Sequence, residues 1–124
     1  MNEFIPEGLE IPDLDQLGRQ LSNEVSRLVK VVANYESDVS ARTKEYKIEL
    51  AKAKVLMKDT KYTPTMINAI AETSPSVMSA GDKVQEAEAV LLIGKAELEG
   101  RDKQYQMVKK IIDLKVQELR VFRG

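Results

Sequence analysis

The chain has 124 residues, 31% of them charged, with 19 basic against 20 acidic side chains and a net charge of −1. It contains no Cys, no His and no Trp, which excludes disulfides, thiolate metal sites and an imidazole general base. Its length allows one domain, and enzyme chemistry narrows to carboxylates, Lys, Tyr and hydroxyls. Charges of both signs are interleaved and aromatics are limited to four Tyr and two Phe, a makeup closer to long helices than to a compact core. No apolar run approaches the roughly 20 residues that cross a bilayer, and the acidic N-terminus lacks the basic-then-apolar plan of a signal peptide. These features predict a soluble cytoplasmic protein that makes no membrane contact.

Residues 1–12 carry Pro6, Gly8 and Pro12 and are expected to be irregular. Phe4, Ile5, Leu9 and Ile11 make this segment either a frayed end or an apolar arm for a sister subunit or partner.

A first long helix is predicted over 13–58, capped by Asp13 after Pro12, with Asp15 near the positive end of its dipole. Leu14, Leu17, Leu21, Val25, Leu28, Val32, Tyr35, Val39, Arg42, Tyr46, Leu50, Ala53 and Met57 follow at steps of three or four. Gly18 costs about 1 kcal/mol against Ala, so fraying is expected there.

Residues 59–76 form the turn. Thr63-Pro64 and Ser74-Pro75 each place a capping hydroxyl before a proline at the first helical position. A short helix is therefore expected over 64–72, with Met66, Ile67 and Ile70 as its apolar side.

A second long helix is predicted over 75–122. Val77, Val84, Leu91, Leu98, Tyr105, Ile112 and Leu119 recur every seventh residue, a seam that a partner helix must cover. The other half of the seam is Ala80, Ala87, Gly94, Arg101, Val108, Lys115 and Phe122. Its small residues near the turn face Leu50, Ala51 and Ala53 in an antiparallel pairing, so close backbone approach is expected there. Farther out, larger and charged residues predict separation or a third helix.

Charge supports the antiparallel arrangement. Net charge is −5 over residues 1–24, +4 over 42–61, −4 over 72–99 and +4 over 101–124. Folding back sets each block against its opposite and disfavours the parallel alternative, although a single exposed pair contributes only about 0–1 kcal/mol. The predicted fold is all-α: a long antiparallel helical hairpin, coiled-coil-like, with a short helix at its turn. Val90, Ile93, Ile111 and Val116 widen the apolar stripe beyond what one helix covers, which predicts a homo-oligomer, a bundle or ring. Val108, Ile112, Leu119 and Phe122, with the arm residues Phe4, Ile5, Leu9 and Ile11, are the candidate contacts between copies or with a partner.

Catalytic, metal and cofactor signals are lacking. There is no G-x-S-x-G and no Gly-rich phosphate loop. Glu86 and Glu88 point to different sides of a helix, and Glu45 and Glu49 read as solvated charge beside Lys44 and Lys52. Binding is the better expectation. Lys44, Lys47, Lys52, Lys54, Lys58 and Lys61 crowd the approach to the turn, with Tyr46 and Tyr62 among them. Cations along a path and aromatic faces are what a single-stranded nucleic acid requires. The plainer alternative is that these lysines answer the acidic 72–99 block and water.

The run Ala51-Lys52-Ala53-Lys54-Val55-Leu56, with Tyr62 beyond it and a second helix ending near Phe122, resembles the UvsY-like recombination mediators of tailed phages. That family carries a Leu-Lys-Ala-Arg-Leu stretch followed by Tyr at the end of its first long helix. The resemblance implies a non-enzymatic oligomer in the host cytoplasm. Such a protein binds single-stranded DNA, contacts the single-strand-binding protein and helps load a RecA-like recombinase. By position, Lys52 and Lys54 would contact DNA. Lys47, Lys58, Lys61 and Tyr62 extend the candidate site on local chemistry. A structural or adaptor coiled coil, such as an assembly scaffold or holdase without nucleic-acid affinity, is the alternative.

Overall fold

Three helices account for the described part of the chain: α1 (Ile11–Leu56), α2 (Pro64–Glu72) and α3 (Pro75–Arg123). The computed structural model describes residues 10–123, with side chains described from 10 to 121. Phe4, Ile5 and Leu9 lie outside the described residues, as does the side chain of Phe122. Two compact units result, one from the helix ends up to Lys30 and from Lys95, the other from Val31–Gly94. Within each, α1 packs on α3, and α2 stands at the turn, so the fold is an all-α helical hairpin.

The helix ends follow local chemistry. α1 begins two residues before the expected Asp13. Pro12 is tolerated inside the first turn, where an amide hydrogen has no partner in any case. Asp13 acts from within that turn instead, its Oδ2 accepting a hydrogen bond from the Glu10 amide at 3.4 Å. This is the reciprocal half of a capping box. α1 also stops two residues short of 58. Met57 and Lys58 donate to carbonyls three residues back, and the Thr60 hydroxyl donates to the Met57 carbonyl at 2.7 Å. Thr63 caps α2 as its spacing predicts, its hydroxyl accepting from the Met66 amide at 3.3 Å. Thr63→Ala should lower stability by about 0.5–2 kcal/mol in urea denaturation followed by circular dichroism. An unchanged midpoint would show that α2 does not depend on its cap.

The seam of α1 is realised along its length. Leu14, Leu21, Leu28, Val32 and Ala53 are buried, and the other eight positions of the predicted stripe are half-buried. In the 31–94 unit, Ala53, Ala71 and Val77 bring all three helices into one core, flanked by Tyr46, Leu50 and Met57. α2 turns Ala71 inward and half-buries Ile67, but leaves Met66 and Ile70 exposed. Residues 67 and 71 share a face at i, i+4, while 66 and 70 lie one position round and miss the core.

Glycines decide how the long helices meet. A Cβ on Gly94 would lie 2.9 Å from the Tyr35 ring, and one on Gly81 would lie 3.4 Å from the Tyr46 ring. Stepping up α3 from 81 to 94 therefore means stepping down α1 from 46 to 35, the antiparallel sense. The spaces at Gly81 and Gly94 are filled by rings, and of the α1 residues expected opposite the small positions, Leu50 and Ala53 join the core while Ala51 is exposed. In the other unit the roles reverse, and Gly18 of α1 faces Val108 of α3 at 3.5 Å. The helices are in contact there, not separated, because the missing side chain at 18 makes room for the larger one at 108. Gly18 is thus buried at a contact rather than at a fraying end.

Among the described residues, six ion pairs, including Arg19–Asp15 at 2.6 Å and Arg27–Glu24 at 2.9 Å, join residues three or four apart on one helix. None of these six crosses between helices, so they stabilise helices locally rather than the pairing of the charge blocks.

Candidate nucleic-acid interface

The lysine-rich end of α1 belongs to the 31–94 unit. Lys44, Lys47 and Lys52 are exposed on the helix and Lys54 is half-buried. Lys58 and Lys61 are exposed in the turn that follows. Helical spacing sorts them. Lys47 and Lys54 are seven residues apart and fall within about 20° of one another around the axis, with Lys44 beside them. Lys52 and Lys54 are two apart and so point about 160° away from each other. Lys52 stands instead on the side of Glu49, its ammonium 3.6 Å from that carboxylate. The helix brings Lys44, Lys47 and Lys54 together, and it does not bring Lys52 and Lys54 together. Among the described residues no carboxylate pairs with Lys47, Lys54, Lys58 or Lys61.

Of the two neighbouring aromatics, Tyr46 is taken into the hairpin, its ring against Gly81 and beside the Ala53–Val77 core. Tyr62 is 46% exposed and keeps a face available for stacking. In chain order Lys47, Lys54, Lys58, Lys61 and then Tyr62 make a row: Lys47 and Lys54 on one side of α1, the two exposed lysines of the turn after it, and one accessible ring at its end.

The contacts expected between copies divide differently. Val108 is wholly buried within its own unit, so it belongs to the hairpin's seam and not to an outer surface. Gly18 opposite it provides that place. Ile112 and Ile11 are half-buried, and Leu119 is 46% exposed. Exposed aliphatics stand elsewhere, at Ile48, Val55 and Leu56 on α1 and at Val90, Leu92 and Ile93 on α3. Adjacent apolar residues carry the signal for them: in Val55-Leu56 and Leu91-Leu92-Ile93, a two-helix hairpin can bury only one side of the helix.

The other unit holds a polar groove lined by Asp15, Arg19, Asn23, Tyr105 and Lys109 among others. The Lys109 ammonium stands 5.4 Å from the centre of the Tyr105 ring, a cation–π contact. Nearby, the hydrogen bond donated by Arg27 holds the Glu24 carboxyl below its ordinary pKa. Among the described residues no cluster of three carboxylates could hold a metal ion, and no helix is long and apolar enough to cross a membrane.

Comparison with protein-family models, curated proteins and solved structures finds no match to this chain.

Proposed function

We propose that the chain is a non-enzymatic, self-associating accessory protein that binds single-stranded DNA and helps load a RecA-like recombinase onto DNA held by a single-strand-binding protein. The observation that carries the DNA-binding part is the row of exposed and half-exposed lysines, Lys47, Lys54, Lys58 and Lys61, with Tyr62 beyond it. Ammonium groups spaced along one segment neutralise phosphates and release counterions. An accessible ring offers a stacking platform that tolerates any base. The recombinase and the single-strand-binding protein enter through the resemblance of the Ala51–Leu56 run and the long–short–long helix plan.

The lysine geometry separates two neighbours that the sequence motif treats alike. Lys54→Ala, which removes a member of the row, should weaken single-strand binding several-fold and lower the salt slope by about 1. Lys52→Ala, on the opposite side beside Glu49, should change both less. Fluorescence anisotropy across a salt series reads both quantities. Equal losses for the two variants would contradict the assignment of the row.

The exposed aliphatics on α1 and α3 support a second reading, a structural or adaptor coiled coil whose work is protein contact alone. That reading predicts no DNA affinity at low salt.

A further inference from the structure

The 31–94 unit presents two outward apolar faces of opposite charge, one on each long helix. On α1, Ile48, Ala51, Lys52, Val55 and Leu56 line an open apolar groove. Ile48 is 52% exposed, Val55 66% and Leu56 86%. Ile48 and Val55 are seven apart and lie nearly opposite the buried line of Tyr46, Leu50 and Ala53. Residues 44–58 carry Lys44, Lys47, Lys52, Lys54 and Lys58 against Glu45 and Glu49, a net of +3. On α3, Ile93 is 69% exposed and lies nearly opposite the inward line of Val77, Val84 and Leu91, with Leu92 at 71% on one flank of it and Val90 at 45% on the other. The segment 82–93 carries Asp82, Glu86 and Glu88 against Lys83, a net of −2.

We infer that these two faces bind each other between copies of the chain: the basic outer face of α1 in one copy packs on the acidic outer face of α3 in the next. Charge decides the pairing. Setting two α1 faces together would bring lysines onto lysines, and two α3 faces would bring carboxylates onto carboxylates. Only the mixed contact buries aliphatics on both sides with opposite charges at the rim.

Geometry decides the symmetry. Within the 31–94 unit, the face of α1 turned away from α3 and the face of α3 turned away from α1 look in opposite directions. One neighbour cannot cover both, so each copy engages two neighbours. The contact is heterologous, and it propagates until it closes as a ring or extends as a filament. Lys44 and Lys52 border this contact, while Lys47 and Lys54 lie toward its flank. The inference rests on reading the chain as a self-associating hairpin and does not depend on DNA.

Sedimentation velocity of the full chain without DNA tests it, with four proteins compared at equal concentration and low salt. Wild type should sediment as an oligomer. Lys44→Glu with Lys52→Glu should weaken association at least tenfold, and so should Asp82→Lys with Glu86→Lys. All four residues are exposed, so helix content by circular dichroism should stay that of wild type. The chain carrying all four substitutions restores opposite charge across the contact and should associate again. Wild-type association that survives both reversals, or a fourfold variant that fails to recover, overturns this contact while leaving self-association itself standing. A monomeric wild type overturns both.

Discussion

Leu28→Ala should destabilise the protein by about 2–5 kcal/mol, the largest effect expected of any single truncation here. Leu28 is 2% exposed and is among the few large side chains fully enclosed by the hairpin. A fold only two helices thick has little material with which to refill a void, so loss of the side chain removes both its transfer free energy and its contacts. The comparison is Leu114→Ala on α3. Leu114 is 51% exposed, and its truncation should stay within about 0.5 kcal/mol when both proteins are unfolded in urea at the same concentration. Similar losses at the two positions would mean that the seam of α1 does not carry the stability of the fold.

Glycine substitutions on α3 should divide by sign. Ala is ordinarily favoured over Gly inside a helix by about 1 kcal/mol. Gly100→Ala should realise that gain, since a Cβ there meets nothing within 4 Å. Gly94→Ala should lose about 1–3 kcal/mol, because its Cβ would lie 2.9 and 3.0 Å from two atoms of the Tyr35 ring. The ring is half-buried between the helices, with Val32 also 3.6 Å from the added carbon. A shift of the ring therefore disturbs the packing beside it. Tyr35→Leu combined with Gly94→Ala should recover part of the loss, as expected for residues in contact. Thermal or urea unfolding of the three variants checks the series. A stabilised Gly94→Ala would show that α1 and α3 stand farther apart than the Tyr35 contact requires.

The heptad of α3 and the three- and four-residue steps of α1 were legible because a helix that must bury one side repeats its apolar residues at that period. The cap at Thr63 was legible for a similar reason, since hydroxyl and proline act within four residues. What lay beyond sequence reading was pairwise. Gly18 reads as a weak point in isolation and becomes a contact only when Val108 stands opposite. Tyr46 reads both as a seam residue and as an aromatic among lysines, and its position against Gly81 takes the first reading. The start of α1 at Ile11 was hidden by treating Pro12 as a boundary, when proline fits the first turn. In the candidate site, Lys52 and Lys54 look like a pair in the motif, yet the 100° step per residue that separates Glu86 from Glu88 separates them too and was legible in the sequence. What was not legible was the half-burial of Lys54 and the pairing of Lys52 with Glu49.

The lysines at the end of α1 and in the turn after it, Lys47, Lys54, Lys58 and Lys61, are proposed to hold a single-stranded nucleic-acid backbone. The most direct test is equilibrium binding of the wild-type chain to labelled single-stranded and double-stranded DNA, by anisotropy, from low to moderate salt. Binding to single strands should weaken linearly on logarithmic axes as salt rises, and should be lost at moderate salt in the Lys47→Ala/Lys54→Ala/Lys58→Ala chain. Absence of binding to single strands at the lowest salt, or binding that the triple substitution leaves intact, would contradict the proposal.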